Sequence, residues 1–579
     1  MSDATNQTPA AQAMSLLHSG QPVKAIAMMR QWIAREPNSA EHYYHLSLIL
    51  TAIGQHDDAI NSLREAIQLN PNLAAAHLNL GVLLFGRGDV ASAEQSFRNA
   101  ISAGQDDEGA WRNLGKALRS QDRLDEAVEA FRTALSRNHK SPEAWMMLGS
   151  VLRECGQIAD AISATRQAVL YRPDYREAHS NLCYLLYFDP AGADRPAAIL
   201  AEHRSWAMKF APPASKPISR PPHDPIRVGY ISPNFRRHVI GAFMEPILAH
   251  HDRSKFAITC YSDTEPEDDL TARLRATETT WRQTKGHSDQ QLAAMIANDE
   301  IDILVDLTLH MRGSRLGVFA LKPAPIQLTH LAYCGTSGLA QMDYCITDAN
   351  MVGFDTDQFF SEKLLALPTS YWCYQPPETA CEVGPLPMLR NGYVTFGSMN
   401  TAAKANDAVI GAWSRLLHEV PTSKLAIHIP GASQSIPARF AQYGIGPDRL
   451  KIIPRQPLAE YFQTWNQIDI ALDPFPYNGG TTSLDALWMG LPVVTLAGWL
   501  PLAQAGVTIL RNLKLDQWIA ANSDEYLKIA TRLAADPPQL SSMRNSLRDR
   551  MMHSPLLDAA RYVAELEAAY RDTTIRRTL

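Results

Sequence analysis

The apolar positions of the first third of the chain recur in frames of 34 residues that begin at Ala40, Ala74, Glu108 and Pro142. The fourth position of each frame is large (Tyr43, His77, Trp111, Trp145) and the seventh is always leucine (Leu46, Leu80, Leu114, Leu148). The eighth is small (Ser47, Gly81, Gly115, Gly149). Alanine holds positions 20 (Ala59, Ala93, Ala127, Ala161) and 27 (Ala66, Ala100, Ala134, Ala168). Large residues early, a small one at position eight and alanines late are what two antiparallel helices need to pack closely, frame after frame. After residue 225 the pattern changes. Short apolar runs at 226–232, 256–261 and 301–307, then at 393–398, 425–429, 450–454, 468–473 and 492–496, read as strands. Helical periodicity lies between them, for example over 242–251 and 407–419, so the order is βαβα and the sheets are parallel.

The frames resemble the tetratricopeptide repeat, with a degenerate repeat before them (Ala25, Pro37) and another starting at Arg176 (His179, Leu182). The predicted architecture is an α-solenoid over 1–188, a helical segment and proline linker over 189–225, and two Rossmann-like α/β domains over 226–388 and 389–579. Pro212, Pro213, Pro217, Pro221 and Pro222 stiffen the linker. Position six of the frames carries Asn79 and Asn113, with Asn181 in phase beyond them. Their amides can donate to and accept from an extended peptide on the concave face of a solenoid.

Composition narrows the partners. A net charge of -6 argues against a nucleic-acid binder that relies on an overall positive field. No apolar run is long enough for a membrane span, and residues 1–10 lack the apolar stretch of a secretory signal. Seven cysteines without a Cys-x-x-Cys pair point to reduced thiols, a cytoplasmic location and no zinc site.

Candidate chemistry collects where strands end, because ligands of parallel sheets bind there. His238 and His310 follow two strands of the first α/β domain. In the second, the run from Asp469 leads to Gly479-Gly480-Thr481-Thr482, two glycines before a helix whose first N–H groups suit an anion. Asp485 is placed in the first turn of that helix, where a carboxylate suits the macrodipole or a ribose hydroxyl. Lys404 can neutralise a phosphate, Tyr461 and Leu458 can sandwich a planar base, and Gln456 can read its edge. Together these describe a nucleoside-diphosphate site. No Asp-x-Asp with companion ligands is present, so no metal and no other cofactor is expected.

At these residues the chain resembles the O-linked N-acetylglucosamine transferases and looks like a bacterial homologue over essentially its whole length. The most specific matches are Gly229-Tyr230-Ile231-Ser232 with His238, the segment 319–327, Gly335-Thr336-Ser337-Gly338 before Met342-Asp343-Tyr344, and the segment 478–488. The resemblance implies a two-domain (GT-B) glycosyltransferase that inverts configuration without a metal, using UDP-N-acetylglucosamine and Ser or Thr of a protein bound by the repeats. It implies that Lys404, Thr481 and Thr482 hold the pyrophosphate, Asp485 the ribose and segment 456–461 the uracil, with His238 beside the anomeric centre. Thr401 and Gly480 stand at further donor positions, and His310 is a sugar- or acceptor-side candidate. The chain departs from the animal members, which have His at the places of Gly480 and Tyr461, Lys at Leu458, Gln at Thr401 and Tyr at Ala403. Alternatives are GDP-fucose transfer to Ser or Thr, UDP-glucose transfer to Asn, and a peptide-binding scaffold with little turnover.

Overall fold

The structure is a computed structural model and describes residues 8–193, 195–211, 220–353, 356–429 and 435–578. The linker prolines Pro212, Pro213 and Pro217 lie outside the described residues. Packing divides the chain into two units, one reaching to Leu152 with 170–172, the other comprising 153–169 and the chain from Pro173 onward.

In the first unit the predicted frames are paired helices: Ala40–Ala52 with His56–Leu69, Ala74–Gly86 with Val90–Ser102, and Glu108–Ser120 with Leu124–Arg137. Pro9–His18 and Pro22–Arg35 form the degenerate pair before them. Ala59, Ala93, Ala127, Ala66, Ala100 and Ala134 have no exposed surface, which is why the frame keeps a methyl there. The small eighth position has an equally direct cause. A Cβ on Gly81 would stand 2.6 Å from the ring of Phe97, and one on Gly115 would stand 2.8 Å from the ring of Phe131. Asn79 and Asn113 take equivalent half-buried places on their helices, and Asn79 Nδ2 donates to the Tyr44 hydroxyl of the preceding frame at 3.4 Å.

The second unit begins inside the fourth frame, well before residue 188. The helix Ile158–Tyr171 and the helix Arg176–Leu185, which carries a half-buried Asn181, pack with the α/β domains. The turn before the first of these helices is tied to the second α/β domain: Gln157 Nε2 donates to Ser435 Oγ at 3.1 Å, and Arg439 Nη1 donates to the Gly156 carbonyl at 3.1 Å.

The first α/β domain is a seven-stranded sheet of β1 (Ile226–Ser232), β2 (Phe256–Ser262), β3 (Thr280–Gln283), β4 (Ile303–Asp306), β5 (Ile326–Thr329), β6 (Tyr344–Asp348) and β7 (Lys363–Leu367). All strands are parallel, in the order β3-β2-β1-β4-β5-β6-β7. The second domain repeats the plan with β8 (Thr395–Ser398), β9 (Lys424–His428), β10 (Leu450–Ile453), β11 (Ile470–Leu472), β12 (Val493–Leu496) and β13 (Ile519–Ala520), ordered β10-β9-β8-β11-β12-β13. In each sheet the winding reverses beside the first strand, between β1 and β4 and between β8 and β11. These are the crevices where doubly wound folds bind ligands.

The last helix, Ala559–Thr578, crosses from the second domain onto the first. There Glu567 Oε1 lies 2.9 Å from His251 Nδ1, and the Tyr562 hydroxyl lies 2.8 Å from His330 Nε2. Among the described residues no helix is long and apolar enough to cross a membrane, and all seven cysteines are unpaired.

Candidate active site

Asp473, the residue after β11, organises the second crevice. Its carboxylate has almost no exposed surface. It accepts from Gly479 N–H at 2.5 Å, Thr495 Oγ1 at 2.7 Å and Ser483 Oγ at 3.3 Å. The Gly479 N–H therefore faces a carboxylate, not an open anion position. Burial raises the Asp473 pKa to about 6 against the pull of these donors and of Lys404. Gly479 and Gly480 both have negative-φ or unremarkable backbones, and crowding selects them: a Cβ on Gly479 would meet Ser483 and Asp473, and one on Gly480 would stand 2.5 Å from the Trp372 indole. The helix Thr481–Trp488 starts here. The N–H groups of Gly480, Thr481 and Thr482 make no hydrogen bond among the described residues, and these three residues are half-exposed. The donors left for an anion are thus Gly480 to Thr482. Thr482 Oγ1 is turned to Asn400 Oδ1 at 2.9 Å, which ties the helix start to the loop after β8.

Lys404 arrives from that loop, at the end of a 3-10 turn (Ala402–Lys404) preceded by the exposed Thr401. Its Nζ donates to the Asn478 carbonyl at 2.6 Å and stands 4.3 Å above the Tyr477 ring. The side chain is partly buried, and loss of hydration lowers its pKa to about 8, with Asp473 opposing the shift. Lysine and helix start therefore meet through one residue, Asn478.

The structure revises the place of Asp485. It is the fifth helical residue, beyond the first turn, and is buried. Its two oxygens accept from the hydroxyls of Tyr374 at 2.7 Å and Tyr461 at 2.9 Å, and burial raises its pKa to about 6. In this state Asp485 orients Tyr461. Gln456 and Leu458 do lie at the start of the helix Leu458–Trp465, with Leu458 47% exposed. Gln456 Oε1 accepts from Thr464 Oγ1 at 2.9 Å, so the backbone of this segment is what remains to read a base edge.

The first crevice holds His238 in the loop after β1. It is the N-cap of the helix Val239–His250, and its Nδ1 accepts from Ile240 N–H at 3.1 Å. An imidazole nitrogen that accepts from an amide carries a lone pair there, so the proton of the neutral ring sits on Nε2. Loss of hydration and then the Arg236 charge lower its pKa, although the residue keeps over a third of its surface open. The ring is neutral at pH 7 and presents Nε2–H as a donor. Trp372 links the two crevices: its indole covers Gly480 and packs 5.3 Å from the ring of Phe243, on the helix that His238 caps.

His310 departs from expectation. It is 3% exposed, Nε2 donates to the Ser337 carbonyl at 3.0 Å, and its ring is edge-on to Trp206. It is a buried wall residue, held by the Ser337 carbonyl and the Trp206 ring. Gly335-Thr336-Ser337-Gly338 is structural too, since Thr336 Oγ1 and Ser337 N–H both donate to the buried Glu362 carboxylate at 2.7 Å.

Sequence reading missed Asp473, Asn478, Asn400, Trp372 and Tyr374. Asp473 and Asn478 stand inside the stretch it singled out, and their spacing to Gly479 was the available signal. Trp372 and Tyr374 lie in the connection between the domains, where no periodicity marks them.

Two doubly wound domains with a return helix, and Lys404 meeting a helix start in the second crevice, are the architecture of a two-domain, GT-B-type glycosyltransferase. The comparisons with known proteins agree. The model of Glycosyl transferase family 41 matches residues 189–375 and 387–566, and tetratricopeptide-repeat models match 48–88 and 112–173. The chain is 37% identical over 413 residues to the tomato (Solanum lycopersicum) protein named probable UDP-N-acetylglucosamine–peptide N-acetylglucosaminyltransferase SPINDLY, covering 69% of this chain and 44% of that one. It is 28% identical over 382 residues to the Arabidopsis thaliana protein of the same enzyme name called SEC, covering 62% of this chain and 38% of that one. The chain thus spans under half the length of these curated relatives. A Thermobaculum terrenum O-GlcNAc transferase structure superposes with a TM-score of 0.80 at 31% identity, covering 87% of this chain and 98% of that one. The chain belongs to glycosyl transferase family 41.

Proposed function

We propose that this protein transfers N-acetylglucosamine from UDP-N-acetylglucosamine to Ser or Thr hydroxyls of protein acceptors held by the repeats. The observation that carries the reading is the junction at Asn478, where a charged Lys404 meets three unpaired N–H groups of a helix start at the switch point of the second sheet. Such a junction is built for a diphosphate. The names of the relatives carry the sugar and the acceptor class.

In the reaction the acceptor oxygen attacks the anomeric carbon from the first-domain side while the C–O bond to UDP breaks, so configuration inverts. Negative charge grows on the leaving diphosphate. Lys404 and the Gly480–Thr482 amides stabilise it in place, without reorganising. A divalent cation is not required in this scheme, because Asp473 and Asp485, the two carboxylates at the site, spend their oxygens on N–H and O–H donors. His238 donates Nε2–H toward the sugar or acceptor and orients it.

One observation favours a second donor. The apolar Trp372 indole lies against Gly480, where animal members carry an imidazole. Such a wall suits a 6-deoxyhexose, as in GDP-fucose. Thermal-shift titration with UDP, GDP and their sugars, followed by intact-mass analysis of an acceptor protein, decides between the two. Stabilisation by UDP-N-acetylglucosamine with a N-acetylhexosamine mass increment supports the first reading. Stabilisation by GDP-fucose with a deoxyhexose increment supports the second, and no shift with any nucleotide overturns both.

A further inference from the structure

Three side chains from separate elements meet in the packing between the pre-sheet helices and the first α/β domain. Cys183 comes from the helix Arg176–Leu185, His203 from the helix Pro196–Phe210, and His310 from the loop after β4. Cys183 and His203 have no exposed surface and His310 has 3%. One donor atom from each lies within 4.8 Å of the others.

The hydrogen bonds of the two imidazoles say which nitrogens are available. His203 Nδ1 sits 2.7 Å from the Ile199 carbonyl, and His310 Nε2 sits 3.0 Å from the Ser337 carbonyl. A carbonyl only accepts, so each of these nitrogens carries the proton. The opposite nitrogen of each neutral ring bears a bare lone pair. His203 Nε2 is buried with no hydrogen-bond partner, and His310 Nδ1 has only Ser180 Oγ, at 3.5 Å. A buried, unpartnered acceptor costs about 1–3 kcal/mol of lost hydration, so its retention beside a second imidazole and a thiol asks for a reason. Donation of the far N–H to a backbone carbonyl is also how metal-ligating histidines are held. Burial keeps both rings neutral, the form that ligates.

We propose that Cys183, His203 and His310 bind one zinc ion. Thiolate and imidazole donors suit zinc, whose bonds of about 2.0–2.3 Å require the three donors to draw together by roughly 1 Å, within reach of side-chain rotation. Ser180 Oγ, 3.5 Å from His310 Nδ1, is within reach of a fourth position. The thiol ligates as thiolate, so binding releases a proton. The ion fastens the two helices before the first sheet to the loop at that sheet's switch point. It is structural and plays no part in the sugar transfer.

The test uses the full chain. After exchange into metal-free buffer and reloading with zinc, elemental analysis is expected to find one zinc per chain, with a higher melting temperature than the stripped protein. Loading with cobalt(II) is expected to give a thiolate-to-cobalt charge-transfer band. Cys183→Ser and His203→Gln lose the metal, the band and the thermal shift, whereas the control Cys381→Ser keeps all three. No retained zinc in the wild type, a cobalt spectrum without the thiolate band, or full zinc in Cys183→Ser would each overturn the proposal. The wild-type cobalt spectrum decides the matter even if His203→Gln does not fold.

Discussion

Replacing Lys404 by methionine separates what the site costs from what it does. Burial has moved the lysine pKa from 10.5 to about 8. That displacement means the charged form is held in the folded protein at a penalty of about 3 kcal/mol relative to water. Methionine keeps the length and apolar volume, removes the penalty, and gives up the hydrogen bond to the Asn478 carbonyl, worth about 1 kcal/mol. The Lys404→Met protein should therefore be more stable by about 1–2 kcal/mol, a rise of a few degrees in the transition that includes the second α/β domain. Turnover should fall about 10²–10³-fold, the usual loss when one preorganised donor to a developing anion is removed. The assays are scanning calorimetry of the full chain and single-turnover sugar transfer to an acceptor protein. A variant that is destabilised, or one whose turnover stays within about threefold of wild type, refutes the assignment of Lys404 as a desolvated cation kept for the leaving group.

The same lysine sets an alkaline limb: kcat/KM should fall about tenfold per pH unit above about 8, and Lys404→Met should lack that limb. Stability moves the other way, since the unfolded chain holds the lysine proton up to 10.5 and the folded chain releases it near 8; the Lys404 contribution to stability therefore rises between those values. Gly115→Ala should destabilise the repeats by about 1–3 kcal/mol in a thermal melt, although glycine to alanine within a helix normally stabilises, because the new methyl meets Phe131; Phe131→Leu in the same chain should restore most of the loss. His238→Asn should keep the helix cap and change stability by under about 0.5 kcal/mol. If turnover nonetheless falls tenfold or more, the imidazole itself is needed; an unchanged rate removes it from the reaction.

How much of this could be read in the sequence depended on the length of the signal. The 34-residue period gave the repeats, because the alanines it marked are fully buried and Gly81 and Gly115 each face a phenylalanine of the same frame. Long apolar runs at β1, β2, β4, β8, β9, β10, β11 and β12 were equally plain. The strands β3, β5, β6, β7 and β13 were not, since polar residues interrupt their apolar runs, as in Thr280-Trp281-Arg282-Gln283 and Ile326-Gln327-Leu328-Thr329, or the run is only two residues long, as in Ile519–Ala520. At the site, the Gly-Gly-Thr-Thr segment and Lys404 were legible as a pair of strand ends. The sequence does not show that Asp473, six residues before Gly479, takes the N–H of that glycine and leaves the donors of the helix start to begin at Gly480. His310 misled for the opposite reason: a polar residue past a strand end was read as facing the crevice, and only tertiary packing turns it inward.

The protonation of the two crevices bears on how the transfer proceeds. A base strong enough to take the acceptor proton before attack is missing on the His238 side, because Nδ1 spends its lone pair on the helix start and Nε2 carries the proton. Asp485 and Asp473 have pKa values near 6, close to a useful range, but both carboxylates are buried and fully engaged with donors. In the proposed scheme the poised groups are on the leaving side: the Lys404 cation and the N–H groups of Gly480, Thr481 and Thr482. The proposed reaction is therefore led by departure of the nucleotide, with the acceptor oxygen passing its proton late to an oxygen of the departing diphosphate, after positive charge has built up on the sugar. Loss of a leaving-side group should then cost far more with a poor leaving group than with an activated donor. Lys404→Met assayed with an aryl-activated sugar in place of the nucleotide sugar should recover most of its deficit, and an equal deficit with both donors would put the difficult step at the acceptor instead.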